Sequence, residues 1–403
     1  MSAAAEPEHK PDPLQAYIDA GHTPMMAQYL AIKELFYADA EQAAAILDIT
    51  LTNRGKNQGQ DIPMAGVPYH ACDPYLARLI RSGHKVAICE QTETPEQAKT
   101  RAGSKALVRR QVVRVLTQGT LTEDTLLDGR ENNYLAALAQ AGGARALSWL
   151  DISTGAFFVQ DIDAQNMLTA IERIAPREIL LPQALDQDTF IQSGLRATGA
   201  SLTPQGDSLF DVVNARKRLE TRFDVATLDG FASYSPAEIA ASGALLDYLE
   251  RTQLGAVPRL DPPRRIAGGS VMEIDAATQR NLELTRTLHG GHRKGSLLHV
   301  IDQTITAPGA RLLQMRISAP LCDVAQIGHR LDQIEFFIQN RPLSQDIRDA
   351  LKASSDMERA LARLSSGRGA PRDLGQIRDS LETAEMIRTY LYQAGESPAL
   401  KPV

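Results

Sequence analysis

"TPMMAQYLAIKELFYADAEQAAAILDI", residues 23–49, contains neither glycine nor proline. Met26, Tyr29, Leu30, Leu35, Phe36, Ala40, Ala43, Ala44 and Leu47 recur in it largely at three- and four-residue steps, the period of an amphipathic helix. Taken alone, the stretch predicts one helix well past the average of about 11–12 residues in globular proteins. The sequence that follows mixes strands with helices and suggests that something should interrupt so long a helix.

At 403 residues the chain can bury sizeable cores, and its length predicts two to four domains. Hydrophobic residues at 43% and charged residues at 23% are ordinary for a soluble globular protein. No apolar run approaches the roughly 18–20 residues that cross a membrane. The opening "MSAAAEPEHKPDP" has no basic region followed by an apolar core, so it reads as a disordered tail (1–22), not a secretory signal. Cys72, Cys89 and Cys322 have no motif spacing, which predicts reduced thiols in a cytoplasm, with Cys89 buried on a strand. The net charge of −6 does not exclude nucleic acid, because binding depends on where the charge lies. The basic stretch "KTRAGSKALVRRQVVR" (99–114) is the local candidate; the other reading is a solvated loop leading into a strand.

Punctuation divides the chain. Up to about residue 125, "DPYLARLIRSG" reads as a helix stopped by Gly83, and "KVAIC" and "RQVVRVL" as strands, an α/β or α+β unit. From Asn132, "NNYLAALAQ" and "ALSWLDISTGAFFVQDI" read as strands with Thr154–Gly155 at a hairpin turn. The helix "AQNMLTAIERIA", the short strand "PREILLP" and the helix "PAEIAASGALLDYLERTQ" follow, a second α/β domain. "LGAVPRLDPPRR" (254–265) is proline-rich and reads as a linker or extended crossing segment. Beyond it, "DAATQRNLELTRTLHGG", "PGARLLQMRISAPL", "DVAQIGHRLDQIEFFIQN" and later stretches are helical in pattern.

Catalytic constellations are not found. No G-x-x-x-x-G-K-[ST] loop is present, and "GGHRKGSLL" (290–298) lacks the Lys-Ser/Thr pair, so it reads as a loop between helices. His70 with Cys72, and His289 with His292, have no second ligand pair at metal-site spacing. Asp151 in "WLDIST" is a single strand carboxylate, where metal-assisted phosphoryl chemistry needs several; a structural role is expected.

"HTPMMAQYL", "ELFYADA", "LDITLTNRG", "IPMAGVPYHA", "YLARLIRSGHKVAICEQ", "VVRVLTQGT", "DAATQRNLEL", "TAPGARLLQMRISAPLCD" and "MERALARLSSGRGAPRDL" together resemble the N-terminal part of the MutS family of DNA mismatch-recognition proteins. The resemblance implies a multidomain fold: an α/β mismatch-binding domain (23–125), an RNase H-like α/β connector domain (130–253), a linker (254–267) and all-α core and lever helices (268–403). It implies double-stranded DNA with mismatches or small loops as partner, a MutL-type repair protein as second partner, and a bacterial cytoplasmic, nucleoid-associated location with no membrane.

Against that pattern the opening stretch gains a meaning. Family members place L-F-Y-R-M-G-D-F-Y-E-L-F between the first helix and the next, with a wedge Phe stacked on the mispaired base and a Glu bonded to it. Unstacking costs a few kcal/mol, less at a mismatch, and the kinked duplex then meets more protein. Here "AIK" runs directly into "ELF". Glu34 matches the glutamate, the wedge phenylalanine has no counterpart, and Phe36 is assigned to core packing. Loss of the strand predicts a first domain that is rearranged or thinly packed, with impaired mispair reading.

Arg54, Lys56, Met64, Gly66 and Pro68 match the family's DNA-facing side. Gly55 between the two cations permits close backbone approach to phosphate; an exposed turn with solvated charges is the other reading. His70 is expected to cap or pack within that turn, and Arg280 and Asn281 to hold the start of the helical core. Family members continue into a clamp and a dimerising ATPase. With no P-loop in these residues, the resemblance implies no enzyme activity and no cofactor here, ATP and Mg belonging to full-length members. Two further readings stay open: a partner-docking module built on the connector domain, and a non-functional gene fragment.

Overall fold

The computed structural model describes residues 17–20, 27, 40–57, 59–103 and 106–395, and the chain forms two compact units, 1–117 and 118–403. Most of the expected helix over 23–49, including Glu34 and Phe36, and the start of the expected tail lie outside the described residues. The described remainder is α1 (Ala40–Leu47), which ends where Asp48 takes a positive φ of 54°.

In the first unit β1 (Leu51–Asn57) pairs antiparallel with β2 (Gln60–Ala65). Helix α2 (Asp73–Arg81) follows, and its Arg78 guanidinium donates to the carbonyls of Leu47 (2.7 Å) and Ile46 (2.8 Å). A cation thus satisfies the open carbonyls at the end of α1, where the helix dipole favours positive charge. Strand β3 (Val86–Gln91), helix α3 (Pro95–Ala102) and strand β4 (Arg110–Leu116) complete the unit. Among the described residues its strands form two separate two-stranded sheets, β1–β2 and β3–β4. Cys89 is exposed, not buried. The β3–β4 register shifts between Ile88 and Cys89, and a bulge there re-aims the side chains that follow.

The second unit centres on a six-stranded sheet in the order β10-β7-β6-β5-β8-β9. Strands β5 (Leu135–Ala141), β6 (Ala144–Asp151) and β7 (Ala156–Ile162) are an antiparallel meander. Helix α4 (Met167–Ile174) crosses to β8 (Glu178–Pro182), parallel to β5, and α5 (Thr189–Ala197) to β9 (Ser201–Gln205), parallel to β8. Alternation along β5 supplies two cores. Leu135, Ala137 and Ala139 face α6 (Val212–Phe223) and α7 (Pro236–Gln253), while Ala136 and Leu138 face α4 and α5. Helix α7 is buried along most of its length, which explains its weak amphipathic pattern. Gly243 lets it approach α6 closely: a Cβ there would lie 2.3 Å from the Cβ of Ala215. The segment read as a linker contains β10 (Arg264–Arg265), which pairs parallel with β7.

Helices make up the rest: α8 (Ala276–Asn281), α9 (Leu297–Ile301), α10 (Ala307–Ser318), α11 (Val324–Gln339), α12 (Arg341–Leu351), α13 (Met357–Ser365) and α14 (Pro371–Gln393). The helical pattern read through "DAATQRNLELTRTLHGG" is realised only as α8. Glu283 turns to a positive φ of 48°, and Gly290 and Gly291 are also left-handed, conformations a helix cannot contain.

Asp302 ties α9 to what precedes it. Its carboxylate accepts from Arg130 (2.8 Å), from Arg293, and from the Thr304 backbone (3.0 Å) and hydroxyl (2.6 Å). Burial alone would raise its pKa; the hydrogen bonds from Thr304 and Arg130 outweigh it and hold the carboxyl at about 2. A carboxylate depressed in the folded state stabilises fully above its unfolded pKa and loses that contribution as pH falls through the folded one. Asp302→Asn is therefore expected to cost about 2 kcal/mol at neutral pH. Urea titrations from pH 7 downward should show this gap closing between about pH 5 and about pH 2; a gap that stays constant would contradict the assignment.

Candidate nucleic-acid interface

The β1–β2 hairpin carries three of the residues singled out by sequence, Arg54, Lys56 and Met64. Its ladder pairs Asn53 with Pro63 and Lys56 with Asp61, so Arg54 and Gly55 together stand opposite Ile62. That extra residue is a β-bulge, and Gly55 at φ 73° supplies the left-handed conformation such a bulge requires. The bulge puts the backbone of Arg54 at a local bend of the strand, with Lys56 just beyond it.

Lys56 is 70% exposed, and its ammonium lies 3.9 Å from the carboxylate of Asp61, itself 55% exposed. Such a pair in water is worth at most about 1 kcal/mol, so Lys56 remains able to exchange Asp61 for an external anion. Thr52, opposite Met64, donates its hydroxyl to the Met64 carbonyl at 2.9 Å. The Met64 side chain is exposed. Gly66 and Pro68 lead from β2 into a single turn, Tyr69–Ala71, and both are exposed. His70 is exposed in this turn and does not cap it; the preceding Pro68 makes no side-chain cap either.

Tyr69, 88% exposed, is the residue that motif reading missed. An aromatic ring open to solvent beside a cationic hairpin is the type of group that stacks on bases or packs on sugars. The signal available was its place in "VPYHA", directly after a proline that fixes the entry to the turn.

The basic stretch 99–114 is partly spent internally. Arg101 donates to both carboxylate oxygens of Glu93 (3.0 and 2.7 Å), and the Arg109 backbone donates to the same group at 2.8 Å. Hydrogen bonding to Arg101 holds the Glu93 carboxyl below the usual range. Lys99, Arg109 and Arg110 stay exposed.

Asp151 is buried and structural. Its oxygens accept from the Asn133 backbone (2.8 Å), the Ser153 backbone (2.9 Å) and the Ser153 hydroxyl (2.6 Å), closing the turn after β6. Among the described residues no group of His, Cys, Asp and Glu is placed to hold a metal ion, and no helix is long and apolar enough to cross a membrane. Glu34 lies outside the described residues.

Family models match the chain in three consecutive parts: MutS domain I over residues 23–125, MutS domain II over 133–261 and MutS domain III over 277–401. Similar curated proteins include the DNA mismatch repair protein MutS of Rhodopseudomonas palustris strain BisB5, 49% identical over 397 aligned positions covering 93% of this chain and 42% of that protein. The protein of the same name from Nitrobacter hamburgensis is 49% identical, covering 93% of this chain and 43% of that one. That from Ruegeria pomeroyi is 48% identical, with 91% and 43% covered. The chain thus spans less than half the length of these relatives. The alignment of 397 positions is also longer than the 93% of the chain it covers, so the relative carries residues with no counterpart here. With three successive domain matches and this identity, the chain belongs to the MutS family and corresponds to its domains I, II and III.

Proposed function

We propose that these residues are the DNA-engaging portion of a mismatch-repair protein, that they hold duplex DNA through charge, and that their reading of the mispair is impaired. The observation that carries this reading is the bulged β1–β2 hairpin, which presents Arg54, Lys56, Met64, Gly66 and Pro68 on one hairpin and its following turn. Phosphate contacts made by such cations are independent of sequence and steeply salt-dependent.

Impairment follows from the direct junction of Lys33 to Glu34. Without a stacking ring, Glu34 has no wedged base to bond. Nucleotide chemistry, ATP with Mg, and dimerisation belong in this reading to regions of the relatives outside the matched part. A bacterial cytoplasmic, nucleoid-associated setting follows from the same role.

The second unit's sheet, with its antiparallel first three strands and parallel fourth and fifth in the order third-second-first-fourth-fifth, supports an RNase H-like connector. Docking of a MutL-type repair protein on it is the second reading. Phe190 and Val213, both highly exposed at the starts of α5 and α6, favour it.

Anisotropy titration of the 403-residue chain against a fully paired duplex and one carrying a single G·T mismatch tests the main reading. The two dissociation constants are expected to agree within about twofold, and affinity to fall with salt at a log–log slope of about −0.9 per phosphate contacted. Lys56→Ala should weaken both duplexes alike, by roughly 2- to 5-fold. A clear preference for the mismatch would refute the impairment, and binding insensitive to salt would refute the charge-driven mode.

A further inference from the structure

Residues 124–131 run from the end of the range matched by domain I (23–125) to just before that matched by domain II (133–261), where a flexible connection would be expected. Instead, arginines from the helices grip them. Arg363 donates to the Asp124 carboxylate at 2.5 Å. Arg359 donates to the main-chain carbonyls of Asp128 (3.0 Å) and Glu131 (2.9 Å), and Arg311 to that of Gly129 (3.1 Å). In return, Arg130 reaches Asp302 and the Thr304 hydroxyl (2.7 Å), and Glu131 accepts from Arg177 and from Arg286 (3.1 Å).

The three gripping arginines are not equivalent. Arg311 is neutralised by Asp356 (2.5 Å) and Glu358 (3.0 Å), and Arg363 by Asp373 (2.6 Å). Arg359 is as deeply buried, yet its nearest carboxylate, Asp356, is 3.9 Å away and its Nε has no hydrogen-bond partner. Burial presses its guanidinium below the usual arginine range. Its hydrogen bonds go to those two neutral carbonyls, and its largest opposing charge is the buried Asp151, to which no hydrogen bond joins it, so at this arginine the strap is held without a carboxylate bonded to the cation.

We propose that residues 124–131 are a clasp poised to open, with Arg359 as the positioning residue that closes it. Closed, the clasp reinforces the direct packing of α8 and α10 against α4 of the six-stranded domain; open, it leaves that packing to hold the sheet and the helices together. Because the grip on Asp128, Gly129 and Glu131 is on main-chain carbonyls, it depends on strap geometry more than on strap side chains.

Hydrogen exchange of the 403-residue chain, read by mass spectrometry, tests this. In Arg359→Met, peptides spanning 123–132 are expected to exchange at least about tenfold faster, while β5–β7 and α14 keep their protection. Unchanged strap exchange would overturn the clasp, as would equal acceleration throughout residues 118–395, which would make Arg359 an ordinary core residue. Should that variant fail to fold, Arg130→Ala, at a partly exposed position, gives the second readout. Local acceleration of about threefold in the strap supports the clasp, and its absence overturns it.

Discussion

Arg363→Ala is expected to destabilise the second unit by about 3–5 kcal/mol, the range for removing one partner of a buried ion pair. Arg363 on α13 donates through Nε (3.1 Å) and Nη2 (2.6 Å) to one oxygen of Asp373 on α14. The other Asp373 oxygen accepts from the Ala370 backbone at 2.7 Å. The two side chains are only 9% and 2% exposed, so truncation leaves a buried carboxylate with no cation hydrogen-bonded to it and only the weaker field of Arg372. Most of the cost is that stranded charge, and it should be recoverable. The double variant Arg363→Met with Asp373→Asn keeps an acceptor for Ala370 and removes both charges, and is expected to regain at least about half of the loss. Urea unfolding followed by circular dichroism of the three proteins measures it. A loss under about 1 kcal/mol for the single change, or no recovery in the double, would show that Asp373 finds another partner.

Gly243→Ala should cost about 3 kcal/mol, a large effect for one methyl group. The added Cβ would lie 2.3 Å from the Cβ and 2.6 Å from the Cα of Ala215. The second contact is with backbone, so no rotamer change relieves it, and α6 must move away from α7. The displacement would also strain the bond from Arg218 to the Gly243 carbonyl (3.0 Å). Adding Ala215→Gly removes the methyl–methyl collision but not the main-chain one, so partial rescue is expected. Thermal melts of the single and double variants decide the point. A Gly243→Ala protein as stable as the parent would mean that the helix pair has slack the close approach does not suggest.

Both predictions depend on contacts between segments distant in sequence, and that marks the limit of what residues alone could reveal. The meander β5–β7 was legible because strand patterning and the Thr154–Gly155 turn are local properties. Helix α7 was legible to the residue. Its capping box joins the Glu238 backbone to the Ser235 hydroxyl (3.2 Å) and the Ser235 backbone to the Glu238 carboxylate (2.8 Å), with Pro236 at the first turn. The candidate residues on the β1–β2 hairpin stood out as a motif, but not the bulge that separates Arg54 from Lys56, because a bulge is a property of two strands in register. Tyr69 was passed over because exposure is not written in a dipeptide.

Other features belong to the tertiary structure alone. Helix α11 repeats Val324, Ile327, Leu331, Ile334 and Ile338 at three- and four-residue steps, a pattern that reads as a buried face, yet these side chains are exposed. Arg311, Arg359 and Arg363, which composition would assign to the surface, are among the buried side chains. Caps, periods and turns are decided within a few residues by steric and hydrogen-bonding preferences of the local chain, so the sequence by itself determined where strands and helices form and to which family they belong. Which face is covered, which charge is desolvated and which carbonyl an arginine finds depend on segments brought together from more than a hundred positions apart, as with Arg359 and Asp128. Only the folded chain decides those, because burial and pairing are properties of neighbours in space.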